Sequence, residues 1–440
     1  MKALRLVLFT VAVLLVLAAA TAGAAWLYIR RGAVDGPPPD DAHLKIERVE
    51  LPDDENAFTI LCAMTNMWFE KEEYAESLDK ILDGRSWDEA VAEKIVQVNQ
   101  GMFFSIEESL KCPGFQVPER RNVGSSTAYL EDWREITKLM QLRARMFLVQ
   151  GKHVQAFEQA LAVVHLGHRI EECGGAVIHY LVGLSVKHMG LLLIEQMLPY
   201  FKPDPIQFRT YAGKLGEFGA SEDALVSSLK EEYRICRNTV EDLAGGRLGF
   251  EEAGIRMHPF AAALGVTPYL LQVHNTQRRF AEFYTGVIEA VPLNQAEVPR
   301  RMPTLEGSAP TLKDVLIKPN YIGRLLGEKL LPFSLTIVER KNGERLYVNS
   351  MRLRLLIVAY EMEHGSVPAS LEDLVGEDLD RAPTDPYDGE PIRYSAGERK
   401  IYSVGRDLKD SGGSTAAPTA PAGLPDQQRR WIAEDIVFEF

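Results

Sequence analysis

The chain has 440 residues, 46% hydrophobic and 25% charged, which makes it long for a single hydrophobic core and typical of a folded protein. Acidic residues exceed basic ones by 62 − 49 = 13, and no block of five basic residues occurs. Because binding to nucleic-acid phosphates needs concentrated positive charge, this composition argues against a nucleic-acid partner.

An apolar segment near the start predicts a transmembrane anchor at residues 6–29, after a short flank at residues 1–5. No charge occurs across these 24 residues, and a helix of that length spans about 36 Å, enough to cross a hydrocarbon layer of about 30 Å. A cleaved signal peptide is the alternative, but its apolar region usually runs about 7 to 15 residues. Basic residues flank both ends, so charge decides the orientation only weakly. We expect a single-pass protein of a bacterial inner membrane, with most of the chain extracytoplasmic.

Residues 30–44 read as a proline-rich linker. Three consecutive prolines among acidic residues, in "GPPPDD", favour an extended chain that holds the following domain away from the membrane. Helical periodicity dominates afterwards and predicts an α-helical domain over residues 45–341.

The clearest helical signal is a pair of helices around Gly151. Leu142 and Met146 lie on one stripe before the glycine, and the small residues Ala156 and Ala160 lie on the next. This pattern predicts a hairpin whose helices cross closely. It resembles one tetratricopeptide unit, but a repeat array is not favoured because no second copy follows at that period.

Residues 176–198 are apolar enough to suggest a second membrane span. Lys187 and His188 lie at the centre of this segment, where a charged residue opposes insertion by about 2.5 to 3.5 kcal/mol. We therefore predict a buried helix of the helical domain.

A histidine pair in "HLGHRIEEC" provides the main candidate for catalysis. His165 and His168 are three residues apart, so on a helix both rings can reach one zinc ion, with Glu171 or Glu172 one turn later. A catalytic zinc site needs a third protein ligand, which the spacing does not supply. A metal-dependent hydrolase in the helical domain is therefore the alternative function, and the motifs GxSxG, HExxH and the P-loop are absent.

The four cysteines are far apart and form no CxxC pair. This spacing argues against a structural zinc site built on thiolates and leaves one or two disulfides open.

The last hundred residues predict a small α+β domain at residues 342–440. A helix ends at "HG" (His364 and Gly365), Ser370 caps a short helix in "SVPASLEDL", and "PTDPYDG" forms turns. "PIRYS" and "KIYSVG" alternate as an antiparallel hairpin, and "DIVFEF" forms the last strand. The insert "STAAPTAPAGLPDQQRRW" before this strand is expected to be flexible.

These elements carry a family resemblance. "AYEMEHGSVPASLEDL", "PTDPYDGEPIRY" and "IYSVGRDLKDSGG", followed by "EDI", resemble the globular head of the major pseudopilin of type II secretion systems. The resemblance covers about a fifth of the chain and implies a helix packed on a small antiparallel sheet. The chain as a whole is similar to bacterial membrane-anchored envelope proteins that end in such a tail.

The same resemblance implies a structural calcium ion in the acidic loop after the hairpin. Its ligands would be Asp407, Asp410 and Asp435, with Glu434 and the backbone carbonyl of Val404 as further positions. Independently, calcium needs six to eight oxygen ligands, which a glycine-rich acidic loop can supply from carboxylates and carbonyls. The basic residues interleaved in "GRDLKD" reduce the local negative charge.

The N-terminus departs from the pseudopilin pattern. It has no leader that ends in glycine and no acidic residue within the apolar helix, and about 300 residues separate helix and head. Polymerisation into a pseudopilus is therefore not expected. The sequence predicts a non-enzymatic, membrane-anchored envelope protein of binding or scaffolding type, with envelope proteins as partners and calcium as a structural ion.

Overall fold

The computed structural model describes residues 2–64, 71–82, 87–257, 267–303, 317–332, 336–376, 378–421 and 423–440. Over these ranges the protein is mostly α-helical, with an apolar N-terminal helix and a three-stranded antiparallel sheet near the C-terminus. The predicted fold class is confirmed at this level.

The α-helices in these ranges follow one another in chain order as α1 Lys2–Gly32, α2 Ala57–Met64, α3 Lys71–Leu82, α4 Glu89–Val98, α5 Gln100–Lys111, α6 Tyr129–Val149, α7 His153–Glu171, α8 Val177–Met197, α9 Pro205–Glu217, α10 Glu222–Ala244, α11 Val273–Ala290, α12 Val298–Arg301, α13 Tyr321–Leu330, α14 Ile337–His364 and α15 Asp426–Arg429. The strands are β1 Arg393–Ser395, β2 Lys400–Ser403 and β3 Ile436–Glu439.

Helices α1 and α8 are both apolar enough to cross a membrane, but their burial separates them. The Val13–Gly32 part of α1 has a mean hydropathy of 1.7 and no buried residue, whereas 61% of α8 is buried inside the protein. Helix α8 packs against α6, α7, α10 and α14, and Lys187 at its centre is fully buried. The structure thus confirms α8 as a helix of the body and leaves α1 as the helix suited to a single span.

Helices α6, α7 and α8 form the centre of the body. The predicted hairpin of α6 and α7 is confirmed, with Gly151 at a φ of +69° between them. Between α7 and α8, glycines allow a close crossing: a Cβ on Gly167 would lie 2.4 Å from the backbone nitrogen of Lys187, and one on Gly190 would lie 2.7 Å from that of Val164. These two helices can approach this closely only because the side chains are absent.

Two hydrophobic clusters fill the interior. The first core joins α2 to α9 with the C-terminal sheet, and the second core joins α10, α11 and α13. Helices α8 and α14 contribute to both cores: Tyr180 and Val338 lie in the second, and Ile194 and Leu356 lie in the first. These two helices therefore tie the molecule together.

The C-terminal sheet has the order β1-β2-β3, with each neighbouring pair antiparallel. Tyr394 pairs with Ile401, and Tyr402 pairs with Val437. The predicted hairpin and last strand are confirmed, as is the helix end, where Gly365 adopts a φ of +76°. Helix α14 packs on this sheet.

Helix α14 begins at Ile337 and runs without interruption to His364. The domain boundary predicted between residues 341 and 342 therefore lies inside a continuous helix whose first two residues, Ile337 and Val338, are buried in the second core. The C-terminal α+β region shares this helix with the body instead of following a linker.

The segment predicted to be a linker, residues 30–44, is instead docked on the body over residues 32–44. The carboxylate of Asp35 accepts hydrogen bonds from the backbone N–H groups of His274 (2.7 Å) and Asn275 (3.0 Å) at the start of α11. Further along, Asp41 accepts a hydrogen bond from the hydroxyl of Tyr233 at 2.7 Å. Because the first N–H groups of a helix have no partner within it, a nearby carboxylate binds there, and the expectation of a spacer is wrong for this segment.

None of the four cysteines is paired in a disulfide in this structure. Burial raises the pKa of the Cys173 thiol to about 12 and that of Cys236 further still. The disulfides that the sequence left open are not formed in this structure.

Candidate functional site: a pocket between α8, α14 and the C-terminal sheet

The predicted calcium ligand Asp435 organises the loop between β2 and β3 through backbone amides. Asp435 is fully buried, and its Oδ2 accepts N–H bonds from Ser411 (3.1 Å), Gly413 (2.7 Å) and Ser414 (3.1 Å). The Oδ2 atom of this carboxylate is thus already bound by three N–H groups. A calcium ion at this position would instead need carboxylate and carbonyl oxygens that point towards the ion.

The other two aspartates of the predicted site form local turns. Asp407 accepts the N–H of Lys409 at 3.0 Å, and Asp410 accepts the N–H of Gly412 at 2.9 Å. A side chain that bonds the backbone two residues later is typical of a turn. Each of the two carboxylates therefore has a structural partner of its own.

The last two predicted ligands are Glu434 and the backbone carbonyl of Val404. Glu434 accepts the hydroxyl of Ser414 at 2.7 Å, and the N–H of buried Val404 donates to Asp385 at 3.1 Å. Throughout the described ranges, no group of three His, Cys, Asp or Glu residues is placed to hold a metal ion. This arrangement does not form an oxygen cage for calcium, so calcium binding stays a prediction that needs the loop to rearrange.

Asp385, which sequence reasoning placed in a simple turn, is a buried centre of the C-terminal region. Its carboxylate accepts hydrogen bonds from the Ser403 hydroxyl (2.8 Å), the N–H of Tyr387 (2.9 Å) and the guanidinium of Arg393 (2.9 Å). It joins the turn after the short helix to both strands of the hairpin.

The histidine pair of the alternative hypothesis lies on α7 beside an aromatic ring. His165 stacks on Phe218 with ring centroids 4.6 Å apart, and His168 contacts the same ring at 5.6 Å. Burial lowers the pKa of His165 to about 4 and that of His168 to about 3, so both rings are neutral at pH 7. Glu172 approaches His168 at 3.5 Å. A metal-dependent hydrolase stays a prediction, and aromatic packing accounts for the pair.

A buried cluster of charges joins α7, α8 and α14. The ammonium of Lys187 lies 2.7 Å from a carboxylate oxygen of Glu171 and 2.7 Å from one of Glu344. Only the contact with Glu171 has hydrogen-bond geometry, and the carboxylate oxygens of Glu344 accept no hydrogen bond. Burial is the main cause that raises the pKa of both carboxyls. Lys187 thus faces two acids, and the positive charge of buried Lys341 also acts on Glu344.

Next to this cluster, a pocket of about 490 Å³ lies between the helical body and the C-terminal region. Apolar and aromatic side chains line much of it, polar side chains from α8, α14 and the C-terminal loop complete the lining, and Glu344 forms part of the wall beside the charge cluster. This combination is typical of small-molecule sites. The lining residues include Leu184, Ser185, His188, Met189, Glu339, Arg340, Gly343, Glu344, Tyr347, Tyr387, Arg406 and Trp431.

The aromatic side of the pocket is held in place by an ion-pair network centred on Glu195 of α8. Its carboxylate binds the guanidinium of Arg430 at 2.8 Å, that of Arg354 at 3.1 Å and the hydroxyl of Tyr347 at 2.8 Å. Because Arg430 precedes Trp431, this network fixes the indole ring at the pocket wall.

The rim of the pocket carries opposite charges from two parts of the chain. Arg406, in the C-terminal loop, pairs with Glu339 of α14 at 2.7 Å. Arg340 is exposed beside this pair, and its guanidinium has no partner among the residues that the structure describes. Burial lowers the pKa of His188, so this ring presents a neutral surface.

Sequence reasoning missed most of this site. Trp431 and Arg430 close an insert that we expected to be flexible, yet its last residues pack against α8 and α14. The available signal was Lys187 in an otherwise apolar helix, because a buried cation requires buried acids nearby. Glu344 could be identified as that partner only once the helices were placed.

Comparison of the chain with protein families, curated proteins and solved structures gave no match.

Proposed function

We propose that this protein is a membrane-anchored binding protein of the bacterial envelope. Helix α1 would anchor it in the inner membrane, and the body outside the membrane would hold a small ligand in the pocket between α8, α14 and the C-terminal sheet. The observation that carries this proposal is the pocket itself, which is lined by apolar and aromatic side chains together with a small number of charged ones, of which Glu344 is paired with Lys187 and Glu339 with Arg406.

Binding fits the chemistry of the pocket better than catalysis. Glu344 is held by Lys187, and Glu339 is paired with Arg406. The ring of His188 is packed against Tyr347, with ring centroids 5.2 Å apart. The ionisable groups of the wall are thus engaged in structural contacts, whereas a general base would need access to a substrate proton.

The pseudopilin-like character of the C-terminal region is part of the same proposal. It is supported by a long helix packed on a three-stranded antiparallel sheet, in the order that the resemblance implied. In this protein the region would form one wall of a binding site instead of joining a filament.

The binding proposal is tested with an amphipathic dye, anilinonaphthalene sulfonate, and the full chain in lipid nanodiscs. Ser185 is exposed on α8 and lines the pocket, so Ser185→Trp would fill it with little effect on folding. We expect this variant to lose the protein-dependent fluorescence. Gln155→Trp, at an exposed position of α7 outside the pocket, is the matched control and should keep it. Equal fluorescence in the two variants would contradict the proposal.

The anchor and its orientation are tested separately. The full chain should stay with bacterial membranes after an alkaline carbonate wash, and deletion of residues 2–29 should release it. An alkaline phosphatase domain fused after Phe440 should be active, because that enzyme folds only outside the cytoplasm. An inactive fusion would show that the predicted orientation is wrong.

A further inference from the structure

Gly343, a glycine within α14, lines the pocket. Gly343 lies inside a long helix, where glycine is less favourable than alanine by about 1 kcal/mol. A Cβ added to it would lie 3.7 Å from the Trp431 ring and 3.7 Å from the Tyr387 hydroxyl, which are ordinary contact distances. Unlike Gly167 and Gly190, this glycine is therefore not required by helix packing.

The position of Gly343 gives it another role. Trp431 and Tyr387 both line the pocket, so the missing side chain leaves space between their rings. Leu184 and Met189 of α8 also line the pocket. The space is thus bordered by apolar and aromatic groups and suits a hydrocarbon or aromatic portion of a ligand.

The rim determines the charge of that ligand. Arg406 and Glu339 neutralise each other, and Glu344 is paired with Lys187, so among the described residues that line the pocket the exposed guanidinium of Arg340 is the charge left without a counter-charge. A guanidinium binds a carboxylate through two parallel hydrogen bonds. One negative group on the ligand would complete the charge balance there.

A cationic ligand is less favourable at this site. The oxygens of Glu344 are inaccessible, and Lys187 lies between that residue and Glu171. An ammonium group in the pocket would therefore meet apolar walls inside and the positive charge of Arg340 at the rim.

We propose, on the basis of the binding function above, that the pocket takes an amphipathic anion: a carboxylate held by Arg340 with an apolar tail in the space that Gly343 leaves between Trp431 and Tyr387.

The ligand class is tested by calorimetric titration of the full chain in nanodiscs, with empty nanodiscs subtracted. The probes are octanoate, octanol and octylamine, which share one tail. We expect octanoate to bind at least about tenfold more tightly than octanol, a difference of about 1.4 kcal/mol, and octylamine to bind weakest. Equal affinities for octanoate and octanol, or tightest binding of octylamine, would overturn the proposed class.

A variant of Arg340 distinguishes the proposed anionic ligand class from the more general proposal that the pocket binds a small molecule. Arg340→Gln should weaken octanoate about tenfold and leave octanol unchanged. Arg345→Gln, in the same helix but outside the pocket, should change neither. If Ser185→Trp abolishes binding of both probes while Arg340→Gln does not discriminate between them, the pocket binds but the anionic class is wrong. If none of the three probes binds to the wild-type chain and the dye signal is unaffected by Ser185→Trp, the binding function fails as well.

Gly343→Ala is expected to change stability and octanoate affinity in opposite directions. A structural glycine would lose stability on this change, whereas the proposed role predicts a melting temperature higher by about 1 to 2 °C, because alanine favours the helix. The added methyl group should weaken octanoate several-fold. A lower melting temperature, or unchanged octanoate affinity, would contradict the role given to Gly343.

Discussion

Two buried carboxylates, Asp385 and Asp435, set the shape of the C-terminal loops residue by residue. Asp435 accepts its hydrogen bonds from backbone N–H groups, Asp385 accepts from two backbone N–H groups and from the side chains of Ser403 and Arg393, and neither carboxylate faces solvent. The sequence identifies acids in a glycine-rich loop, and this pattern is equally compatible with a cation held by oxygens or a carboxylate held by amides. The difference depends on which way the peptide groups turn, which residue spacing alone does not determine.

Removal of the Asp435 carboxylate should destabilise the loop strongly. Asp435→Ala leaves three amides without their acceptor, so we expect the free energy of unfolding to fall by about 2 to 3 kcal/mol. Asp407→Ala removes an exposed carboxylate that holds one amide and should change it by less than about 0.5 kcal/mol. Urea denaturation of both variants checks this, and similar midpoints would show that the amide bonds contribute little.

The predicted calcium site is tested in the same proteins. If calcium binds where the resemblance implies, its addition should raise the melting temperature of the wild-type chain relative to chelator, and Asp407→Ala should abolish that rise. Thermal melting followed by circular dichroism measures both. Melting that is indifferent to calcium and chelator would show that the calcium prediction is wrong.

The histidine pair predicts an acid-sensitive fold. In the unfolded chain both rings titrate near pH 6.5, whereas in the folded protein the pKa values are about 4 for His165 and about 3 for His168. The unfolded state therefore binds protons first as the pH falls from about 6.5 to 4, and stability is lost over that range. Urea midpoints at several pH values should show a shallower loss in His168→Gln than in the wild type. An unchanged slope would exclude this histidine as a cause.

Close crossing of α7 and α8 is the element-scale feature most sensitive to mutation. Gly167→Ala would place a methyl group against the backbone of Lys187, so we expect a loss of about 2 to 3 kcal/mol in the free energy of unfolding. Gly213→Ala in α9 meets no atom within 4 Å and should instead stabilise by about 0.5 to 1 kcal/mol. Opposite signs in urea denaturation would confirm the prediction, whereas two stabilised variants would contradict the crossing geometry.

Local signals predicted several elements correctly. The hairpin at Gly151, the helix end at Gly365 and the β1–β2 hairpin each depend on residues close in sequence. Other features depend on partners far away in the chain. The order of the insert around Arg430 comes from Glu195, and the early start of α14 comes from burial of Ile337 in the second core, so neither could be predicted from its own segment.

The Glu195 network links the helical body, through α8, to α14 and the C-terminal region. Glu195→Gln would leave the buried guanidinium of Arg354 and the half-buried guanidinium of Arg430 without their counter-charge, and we expect the free energy of unfolding to fall by about 2 kcal/mol. We expect faster hydrogen exchange at residues 426–432 and weaker ligand binding, because Trp431 is no longer held. Glu158→Gln, which removes an exposed carboxylate, is the control. Unchanged exchange at residues 426–432 would contradict the role of this network.

Across the whole molecule, α8 and α14 pass through both cores and also form the pocket. The charge cluster of Glu171, Lys187 and Glu344 lies where these helices meet. The sequence predicted a helical body and a separate small domain. Because α14 belongs to both, the pocket lies where the two parts meet and is formed by residues of each. No single segment contains enough of its residues to be recognised alone.

The hydrogen bonds of Asp35 attach the end of α1, the proposed membrane anchor, to the body of the protein. The Asp35 carboxylate accepts hydrogen bonds from the first N–H groups of α11, and the carbonyl of Gly32 accepts one from the side-chain amide of Gln272 at 2.6 Å. The end of α1 is therefore held against the body. With a flexible linker, the body could rotate freely relative to the bilayer, and the distance of the pocket from the bilayer would vary. If α1 spans a membrane as proposed, its attachment to the body makes the tilt of α1 in the lipid set the direction in which the pocket opens.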